Sequence, residues 1–357
     1  MSLEQEIKDK GREMGFDAVG ITGASPIGRE HIEHLWEWLR RGYAGPMDYM
    51  SRNLEKRIDP AQLRKGAQSV IVVVLNYKIA DCRLQIADSP SHRDSRSGTA
   101  PAAGWAPPTA SPGAAKAPDA ASGPQSQIQN LKSKISNSRF EISNLKSEIG
   151  PAGKVAASGP QSGISNLKSE IDPAGRVAAY AQYEDYHPFI KSLLRELASF
   201  VSVRAGRPDR YKICVDSAPL AEKALAVRAG LGFIGRNHLL IHPQLGPQVL
   251  LGELLTTVPL QPDEPNVATC QGCDRCTKAC PTGALRQDGF LDARRCISCL
   301  TQYPSQAGPA PDTHGWLFGC DECLLACPFH QQAPPHANRQ FKFHPDRAAS
   351  TLPRHLV

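Results

Sequence analysis

The sequence predicts an α/β domain that is interrupted by a long low-complexity segment and followed by a small cysteine-rich domain. Three observations carry this prediction. The apolar, β-branched run SVIVVVLNY from Ser69 is typical of a strand buried on both faces. The composition changes abruptly at about Asp81. Nine of the eleven cysteines lie between Cys270 and Cys327.

The first part of the α/β domain is predicted over residues 1–80. The stretch SLEQEIKDKGREMG carries apolar and charged residues at helical spacing, and Gly15 is a suitable end for that helix. FDAVGIT predicts a short strand, and HIEHLWEWLRRG predicts an amphipathic helix that ends at a glycine. The buried strand from Ser69 completes this part.

Residues 81–175 are rich in Ala, Ser, Pro and Gly, and they repeat short phrases. ISNLKSEI occurs twice, and PAGKVAA returns as PAGRVAA. Repeats this short and irregular do not match a solenoid, in which each unit stacks a core face on the next. We predict a disordered insertion that is a neutral expansion, with partner binding as the alternative.

The second part of the α/β domain is predicted over residues 176–265. Helical spacing runs through RVAAYAQYEDYHPFIKSLLRELASFV. A strand at Lys212–Val215 is followed by a loop at Asp216–Pro219 and a helix that ends at Gly230. A glycine-rich turn then leads into strands at Leu239–Ile241 and Gln248–Leu251. The glycines follow a helix, so a dinucleotide-binding loop is disfavoured.

The cysteine spacing over residues 266–335 predicts a ferredoxin-like domain with two [4Fe–4S] clusters. The run CQGCDRCTKACP fits C-x₂-C-x₂-C-x₃-C-P, in which the fourth cysteine ligates the other cluster of a pair. The second run, GCDECLLACP, is one cysteine short, and an upstream cysteine makes up the deficit. The predicted ligands of the first cluster are Cys270, Cys273, Cys276 and Cys327. Those of the second are Cys280, Cys296, Cys320 and Cys323.

Three cysteines remain outside this scheme. Cys299 is a competing ligand for the position assigned to Cys296, Cys214 is expected in the core of a strand, and Cys82 lies at the edge of the insertion. Zinc is the alternative metal, because C-x₂-C is also a zinc element. Zinc sites do not need the longer run that ends in Cys-Pro, which favours the clusters.

Asp216 is the candidate for acid–base chemistry, because it stands where an apolar strand ends in a loop. A carboxyl group beside an apolar cofactor is expected to have its pKa raised by desolvation, and it can then donate a proton. The structural alternative is a helix N-cap, with Ser217 as a second candidate for that cap.

The overall composition bounds the location and the partners. A formal charge of +6 suits a nucleic-acid partner, although an ordinary solvated surface explains it equally well. The first residues show neither a secretory signal nor a twin-arginine motif, and no apolar run approaches the length of a membrane span. We therefore expect a cytoplasmic monomer with no membrane contact.

Outside the insertion, most of the sequence resembles the epoxyqueuosine reductases, a family of tRNA-modifying enzymes. The blocks GPMDYMSRNLEKRIDPAQL, YAQYEDYHPFIK, VDSAPLAEKALAVRAGLGFIGRN, CDRCTKACPTGAL and GCDECLLACP resemble family blocks in the same order. The resemblance implies a cobalamin-binding α/β domain before the two-cluster domain. It also implies the two-electron reduction of epoxyqueuosine in tRNA to queuosine, with electrons from a low-potential ferredoxin or flavodoxin.

The resemblance also implies roles for single residues. Asp216 matches the family's proton donor and a cobalamin contact, and Arg57 matches a cobalamin-contacting arginine. The remaining implied cobalamin contacts are Leu240, Leu251 and Ile297. Rival interpretations are another corrinoid iron–sulfur reductase, such as a reductive dehalogenase, and a pure electron-transfer module.

The sequence departs from the family pattern at the insertion, after CLTQ and at the C-terminus. Residues 336–357 are a short tail where many relatives carry a longer helical region that grips tRNA. Basic residues in the tail are candidates to compensate: Arg339, Lys342, Arg347 and Arg354.

Overall fold

A computed structural model describes residues 1–79, 175–208, 210–304 and 311–344. The predicted insertion, apart from Gly175, lies outside the described residues, as do Cys82, Arg347 and Arg354. The described helices are α1 (Leu3–Glu13), α2 (Arg29–Arg40), α3 (Leu54–Ile58), α4 (Tyr186–Arg204), α5 (Glu222–Arg228), α6 (Arg275–Ala279), α7 (Ile297–Gln302), α8 (Glu322–Leu325) and α9 (Pro328–Gln332). The described strands are β1 (Ala18–Gly23), β2 (Ser69–Asn76), β3 (Arg176–Val177), β4 (Lys212–Cys214), β5 (Phe233–Ile234), β6 (Leu240–Ile241), β7 (Val249–Thr256) and β8 (Trp316–Phe318).

The central sheet has four strands in the order β1-β2-β7-β4, and each neighbouring pair is antiparallel. All eight residues of β2 are buried, which confirms the prediction from the run that starts at Ser69. A strand buried on both faces is usual in parallel sheets. Here the same burial arises in an antiparallel sheet because helices cover both of its faces.

Helices α1 and α4 cover one face of the sheet. A side chain at Gly252 of β7 would meet Ile190 and Leu194 of α4, and Gly11 of α1 lies against Val19 of β1. The buried residues of α4 recur at helical spacing, so the helix presents one apolar stripe to the strands. This packing leaves no room for a larger residue at Gly252.

Helix α5 covers the opposite face. Gly20 of β1 lies against the end of this helix, because a side chain there would meet the carbonyl oxygen of Ala229. The register places Gly20 opposite Val72, Val72 opposite Glu253, and Glu253 opposite Cys214. Directly paired residues share a face of the sheet, so Glu253 and Cys214 both point toward α5. Cys214 is buried, as the sequence predicts.

The glycine-rich turn is more structured than predicted. Phe233–Ile234 form strand β5, which pairs antiparallel with β6. Gly232 has a φ of +149°, and a side chain there would meet the carbonyl oxygen of Ile241, so the hairpin requires glycine at this position. A two-residue strand has too little alternation of apolar and polar residues to be predicted from the sequence.

The two ends of the insertion are tied to the cysteine-rich part of the chain. Lys78 donates hydrogen bonds to the carbonyl oxygens of His330, at 2.7 Å, and of Ala333. On the other side, Arg176 lies over the ring of Trp316 and pairs with Glu322. Strand β3 also pairs with β8 in parallel. The described residues on both sides of the insertion belong to one compact unit.

Residues 336–343 of the predicted tail pack against the α/β domain. Tyr183 stacks on Phe341 and contacts Phe343, and His336 contacts the carbonyl oxygen of Asn76. Arg339, like Lys342, is exposed. In the part of the chain that the structure describes, no helix is both long and apolar enough to cross a bilayer.

Candidate active site and cysteine groups

Asp216 follows the buried end of β4 and adopts a left-handed backbone conformation. Its φ is +57°, which is uncommon for a residue other than glycine. Cys214 and Val215 before it are buried, while 65% of the Asp216 side chain is exposed. Non-glycine residues keep such a conformation where the surrounding structure holds them in it.

Three groups hold Asp216. Tyr186 donates a hydrogen bond to its Oδ2 at 3.0 Å, and Nε2 of His187 lies 3.5 Å from the same oxygen. The backbone N–H of Asp216 donates to Oε1 of Glu222 at 2.7 Å. Asp185 accepts from the other ring nitrogen of His187 at 2.8 Å, so the imidazole lies between two carboxylates.

These contacts set the charges at the site. The pKa of Asp216 lies below its ordinary value, mainly because His187 donates a hydrogen bond to the carboxylate; burial acts in the opposite direction and is outweighed. Desolvation raises the pKa of this carboxyl group as predicted, but the predicted net increase is wrong because the hydrogen bond from His187 outweighs it. The same hydrogen bond raises the pKa of His187. The pair favours a carboxylate beside an imidazolium.

Neither residue proposed as a helix cap fills that role. The residue at the N-cap of α5 is Ala221, and it makes no side-chain capping bond. The Ser217 hydroxyl donates instead to the carbonyl oxygen of Val215. The carboxylate of Asp216 is occupied by Tyr186 and His187, which belong to the first turn of α4. The structure therefore favours the chemical interpretation of Asp216 over the structural one.

Arg57 and two tyrosines lie close to Asp216. The charges of Asp216 and Arg57 both act on the phenol of Tyr49, which also makes a hydrogen bond with Tyr303. Burial lowers the pKa of Arg57, and its Nε is buried without a hydrogen-bond partner. The charges of the sequence-predicted Arg57 and Asp216 thus reach the same phenol.

Two interacting tyrosines, the buried Tyr77 and the half-buried Tyr180, form a short tyrosine row near the cysteines. Burial raises the pKa of Tyr180, and the charges of Asp321 and Asp216 raise it further. Burial raises the pKa of Tyr77 as well, with contributions from Tyr180 and Cys323. Tyr180 packs, together with Cys320, against the cluster of Ala178, Ile297 and Trp316, and it also feels the charge of Asp216.

The four cysteines predicted for the first cluster are neighbours. Burial raises the pKa of Cys276, and Cys270 and Cys273 add to the effect. Cys327 is affected in the same way by Cys270 and Cys276. The backbone N–H of Arg236 also donates to the sulfur of Cys270 at 3.4 Å.

The four cysteines predicted for the second cluster form a separate neighbourhood. Burial is the main cause that raises the pKa of Cys323, and the thiols of Cys320, Cys296 and Cys280 raise it further. Cys299 is buried. Burial and the neighbouring thiol of Cys296 together raise the pKa of Cys299 to about 11. In the described chain, no three His, Cys, Asp or Glu side chains converge tightly enough to hold a single metal ion.

Two of the predicted ligands stand at the start of a helix. Cys296 is the N-cap of α7, and Cys327 is the N-cap of α9, in which Pro328 occupies the first turn. Backbone N–H groups of each helix point at the sulfur and lower its pKa against the effect of burial. Helix N-termini favour negative charge, so both positions suit a thiolate ligand.

The other predicted cobalamin contacts lie in different environments. Ile297 is buried with Ala178 and Trp316, and Tyr180 and Cys320 pack against that cluster. Leu240 is buried in the β5–β6 hairpin. Leu251 is half-buried on β7, on the same face as Glu253. The structure brings Ile297 near the tyrosine row and shows no contact between either leucine and Asp216.

Comparisons with known proteins give the family. Residues 160–217 match the family model described as Epoxyqueuosine reductase QueG, DUF1730, and residues 269–330 match the 4Fe-4S double cluster binding domain. The chain is 32% identical over 345 residues to an epoxyqueuosine reductase of Pseudomonas aeruginosa, covering 95% of this chain and 72% of the relative. The chain belongs to the epoxyqueuosine reductase family. It is an oxidoreductase with a double-cluster domain.

Solved structures of epoxyqueuosine reductases share the fold. The structure from Streptococcus thermophilus matches with a TM-score of 0.64 and 24% identity, over 97% of this chain and 70% of that one. A structure of epoxyqueuosine reductase with an epoxyqueuosine-modified tRNA stem loop matches with a TM-score of 0.63 and 24% identity, over 96% and 69%. The predicted α/β fold followed by a two-cluster domain is confirmed.

Several residues of the site were not predicted from the sequence. Tyr186 and His187 stand in the phrase EDYH, where an acid, a phenol and an imidazole follow one another at the start of a helix. That grouping was a usable signal. Glu222 and Glu253 gave none, because each is a single acidic residue within an apolar stretch and only the fold brings them together.

Proposed function

We propose that this enzyme reduces the epoxide of epoxyqueuosine in tRNA to the alkene of queuosine, the last step of queuosine synthesis. The reaction consumes two electrons and two protons, and the epoxide oxygen leaves as water. The observation that supports the proposal is that Tyr180 and Cys320 pack against the same cluster, which includes Ile297, while the charge of Asp216 reaches Tyr180. A proton donor and an electron path thus meet in one site.

The eight cysteines in their two neighbourhoods fit two [4Fe–4S] clusters. Cys270, Cys273, Cys276 and Cys327 would hold one cluster, and Cys280, Cys296, Cys320 and Cys323 the other. Such clusters pass electrons one at a time. Two thiols of the second group are close to the tyrosine row, since Cys320 packs against the same cluster as Tyr180 and Cys323 acts on Tyr77. The second group would therefore deliver electrons to the active site.

The space beside Asp216 suits cobalamin. Arg57 presents a buried Nε without a partner, and corrin side chains carry amide oxygens that accept hydrogen bonds. Arg57 would hold the corrin edge, with Leu251 and Ile297 among the apolar contacts and the backbone near Leu240 as a further one. When bound, cobalamin supplies a strongly reducing metal that acts on the epoxide carbon.

The proton for the leaving oxygen would come from the Asp216–His187 pair. An alkoxide is a poor leaving group, so the epoxide oxygen needs a general acid. Because the pKa of Asp216 is lowered and that of His187 is raised, the pair stores its proton on the imidazole. We infer that the proton passes from Nε2 of His187 to Oδ2 of Asp216 and then to the substrate. Asp185 holds the imidazole in position.

The partners follow from this chemistry. The substrate would be tRNA that carries epoxyqueuosine, and the electrons would come from a low-potential ferredoxin or flavodoxin. We expect a monomer that works in the cytoplasm, where its tRNA substrate is found.

The test is a turnover assay under anaerobic conditions. The protein is reconstituted with iron, sulfide and cobalamin, supplied with a low-potential reductant and modified tRNA, and queuosine is measured by mass spectrometry. Asp216→Asn is expected to lower turnover by about 10²- to 10⁴-fold while corrin binding persists. The control, Asp312→Asn, changes an exposed carboxylate outside the site and is expected to behave as wild type.

The other outcomes identify the rival functions. Bound corrin and two clusters without any queuosine would indicate a different substrate for the same redox centres. Two clusters without corrin binding would indicate a pure electron-transfer module.

A further inference from the structure

Two glutamates meet behind Asp216, between the sheet and α5. Glu253 projects from the interior of β7, and its side chain is completely buried. Glu222 is the first residue of α5, and its carboxyl group lies within hydrogen-bonding reach of that of Glu253. Neither the proposed proton transfer nor the proposed electron path uses these two carboxyl groups.

As a carboxylate, Glu253 finds no hydrogen-bond donor. Both of its oxygens are buried and lack a partner. An unpaired buried charge is very costly, and the group takes up a proton instead. With one proton, Glu253 donates to Glu222, and the two carboxyl groups satisfy each other. Burial accordingly raises the pKa of Glu253 far above its ordinary value and that of Glu222 to about 7.

The pair acts on the catalytic loop through one bond. Oε1 of Glu222 accepts the backbone N–H of Asp216 at 2.7 Å, and this is the residue with the φ of +57°. A left-handed conformation at a non-glycine residue needs support from its surroundings. The hydrogen bond from Glu253 fixes the Glu222 carboxyl group, which in turn holds the peptide of Asp216.

We propose that Glu222 and Glu253 share one proton and thereby position Asp216 for proton transfer. Both are positioning residues, since neither reaches the substrate. The inference rests on the proposed function, because Asp216 is the acid of that reaction. Above the pH at which the pair loses its shared proton, two buried carboxylates and the nearby Asp216 repel one another. The loop then loses its support.

Other charged and titratable groups also face the pair. Those that interact with it are Asp216 on the loop, Cys214 on β4, Lys223 on α5, Arg57 on α3 and Tyr186 on α4. Lys191 of α4 acts on Asp216 and Cys214 rather than on the pair itself. The strand neighbour Val72 carries no charge.

The test compares variants of Glu253 in the reconstituted enzyme. Glu253→Gln keeps a hydrogen-bond donor for Glu222 but does not titrate. We expect its kcat below pH 7 to stay within about threefold of wild type, and the alkaline limb of its pH profile to move up by about one unit or more. Glu253→Leu removes the donor, and kcat is expected to fall about 10- to 100-fold across the pH range. Glu222→Gln is expected to resemble Glu253→Gln.

A readout that does not depend on turnover separates this proposal from the proposed function. Wild type is expected to show an infrared carbonyl band of a protonated carboxyl group at pH 6 that disappears at alkaline pH. Glu253→Gln is expected to lack most of that pH-dependent signal. If no epoxyqueuosine turnover is found in any variant, the band alone still tests the shared proton.

Asp17→Asn is the matched control. Asp17 also accepts a backbone N–H, that of Asn76 at 2.7 Å, but it lies outside the site. The alkaline limb of the pH profile of Asp17→Asn is expected to match that of wild type. The proposal is overturned if Glu253→Leu and Glu253→Gln both keep the wild-type pH profile, or if the carboxyl band is the same in wild type and in Glu253→Gln.

Discussion

Asp216 shows how a single residue acquires its character from neighbours that are distant in sequence. Its exposed carboxylate receives hydrogen bonds from Tyr186 and His187, thirty and twenty-nine positions earlier. Those bonds outweigh burial and lower its pKa. The residue is then an acid only in partnership, because the proton that it delivers is stored on the imidazole.

His187→Asn tests this partnership. We expect turnover to fall by about 10²-fold, since the relay loses its proton store. The pKa of His187 is raised, so its interaction with Asp216 stabilises the fold at pH below about 6.5 and is lost as pH rises through the raised pKa. The lowered pKa of Asp216 adds stability above about pH 4 that is lost on further acidification.

Thermal unfolding measures how much the interaction between His187 and Asp216 contributes to stability. His187→Asn is expected to lower the melting temperature at pH 5.5 and to change it much less at pH 8.5. Because the Asp216 carboxylate is largely exposed, solvent screening limits the loss to about 1 kcal/mol or less. His314→Asn, which changes another His–Asp pair with a 3.7 Å contact, is the control. An equal effect of His187→Asn at both pH values would contradict the ion pair.

Cys296 and Cys299 form a matched pair for testing the ligands. Cys296 interacts with three other predicted ligands, Cys280, Cys320 and Cys323. The pKa of Cys299 is affected by only one thiol, that of Cys296. We expect Cys299→Ser to retain about eight irons per chain, and Cys296→Ser to retain about four. Iron and sulfide analysis with electron paramagnetic resonance provides the measurement. The opposite result would make Cys299 the ligand.

At the scale of elements, glycines set how closely the layers approach. A side chain at Gly20 would lie 2.3 Å from the carbonyl oxygen of Ala229 and 2.9 Å from Leu231, so β1 and the end of α5 would have to separate. Gly20→Ala is expected to cost about 1–3 kcal/mol of the free energy of unfolding. Gly23→Ala, on the same strand, meets nothing closer than 3.9 Å and is expected to cost less than about 0.5 kcal/mol.

Denaturation of both variants gives the comparison. Because Glu222 belongs to the same helix, Gly20→Ala is also expected to lower kcat, whereas Gly23→Ala is not. Equal stability of the two variants would show that α5 can shift away from the sheet without cost.

Elements with a strong local pattern could be predicted from the sequence. The helix at Leu3–Glu13 and the buried strand at Ser69–Asn76 have the periodicity and the end signals that define them. The antiparallel order of the sheet could not be predicted, because it depends on pairing between strands far apart in the chain. The two cysteine groups are predicted from spacing, because the motif prescribes which thiol joins which cluster, but spacing leaves the choice between Cys296 and Cys299 open.

The chemical environment of the site could not be predicted to the same degree. The sign of the Asp216 pKa shift depends on His187, whose position relative to β4 is a property of the fold. Glu253 carries no sequence signal for its partner, because the register of β7 and the start of α5 bring the two carboxyl groups together. The family resemblance predicted the reaction, whereas the tertiary structure determines which of these carboxyl and imidazole groups holds a proton.

At the scale of the whole molecule, Lys78 joins the α/β domain to the cysteine-rich part. Its ammonium group donates to the carbonyl oxygens of His330 and Ala333 at the end of α9. Lys78→Met is expected to cost about 1–3 kcal/mol, because these charged hydrogen bonds are lost. Lys212→Met, at an exposed position, is expected to cost less than about 0.5 kcal/mol. Chemical denaturation of the cluster-loaded protein gives both values, and equal stability of the two variants would show that the tie is dispensable.

The anchors on either side of the junction at residues 79 and 175 have an evolutionary consequence. Lys78 on one side and Arg176 on the other are each fixed to the same half of the molecule. The chain ends at this junction are therefore held by contacts that do not involve the segment between them. Doubling the length of a flexible connection costs only about 0.6 kcal/mol in closure entropy. We therefore expect that the number of repeats between these anchors can change during evolution without breaking the contacts of Lys78 and Arg176.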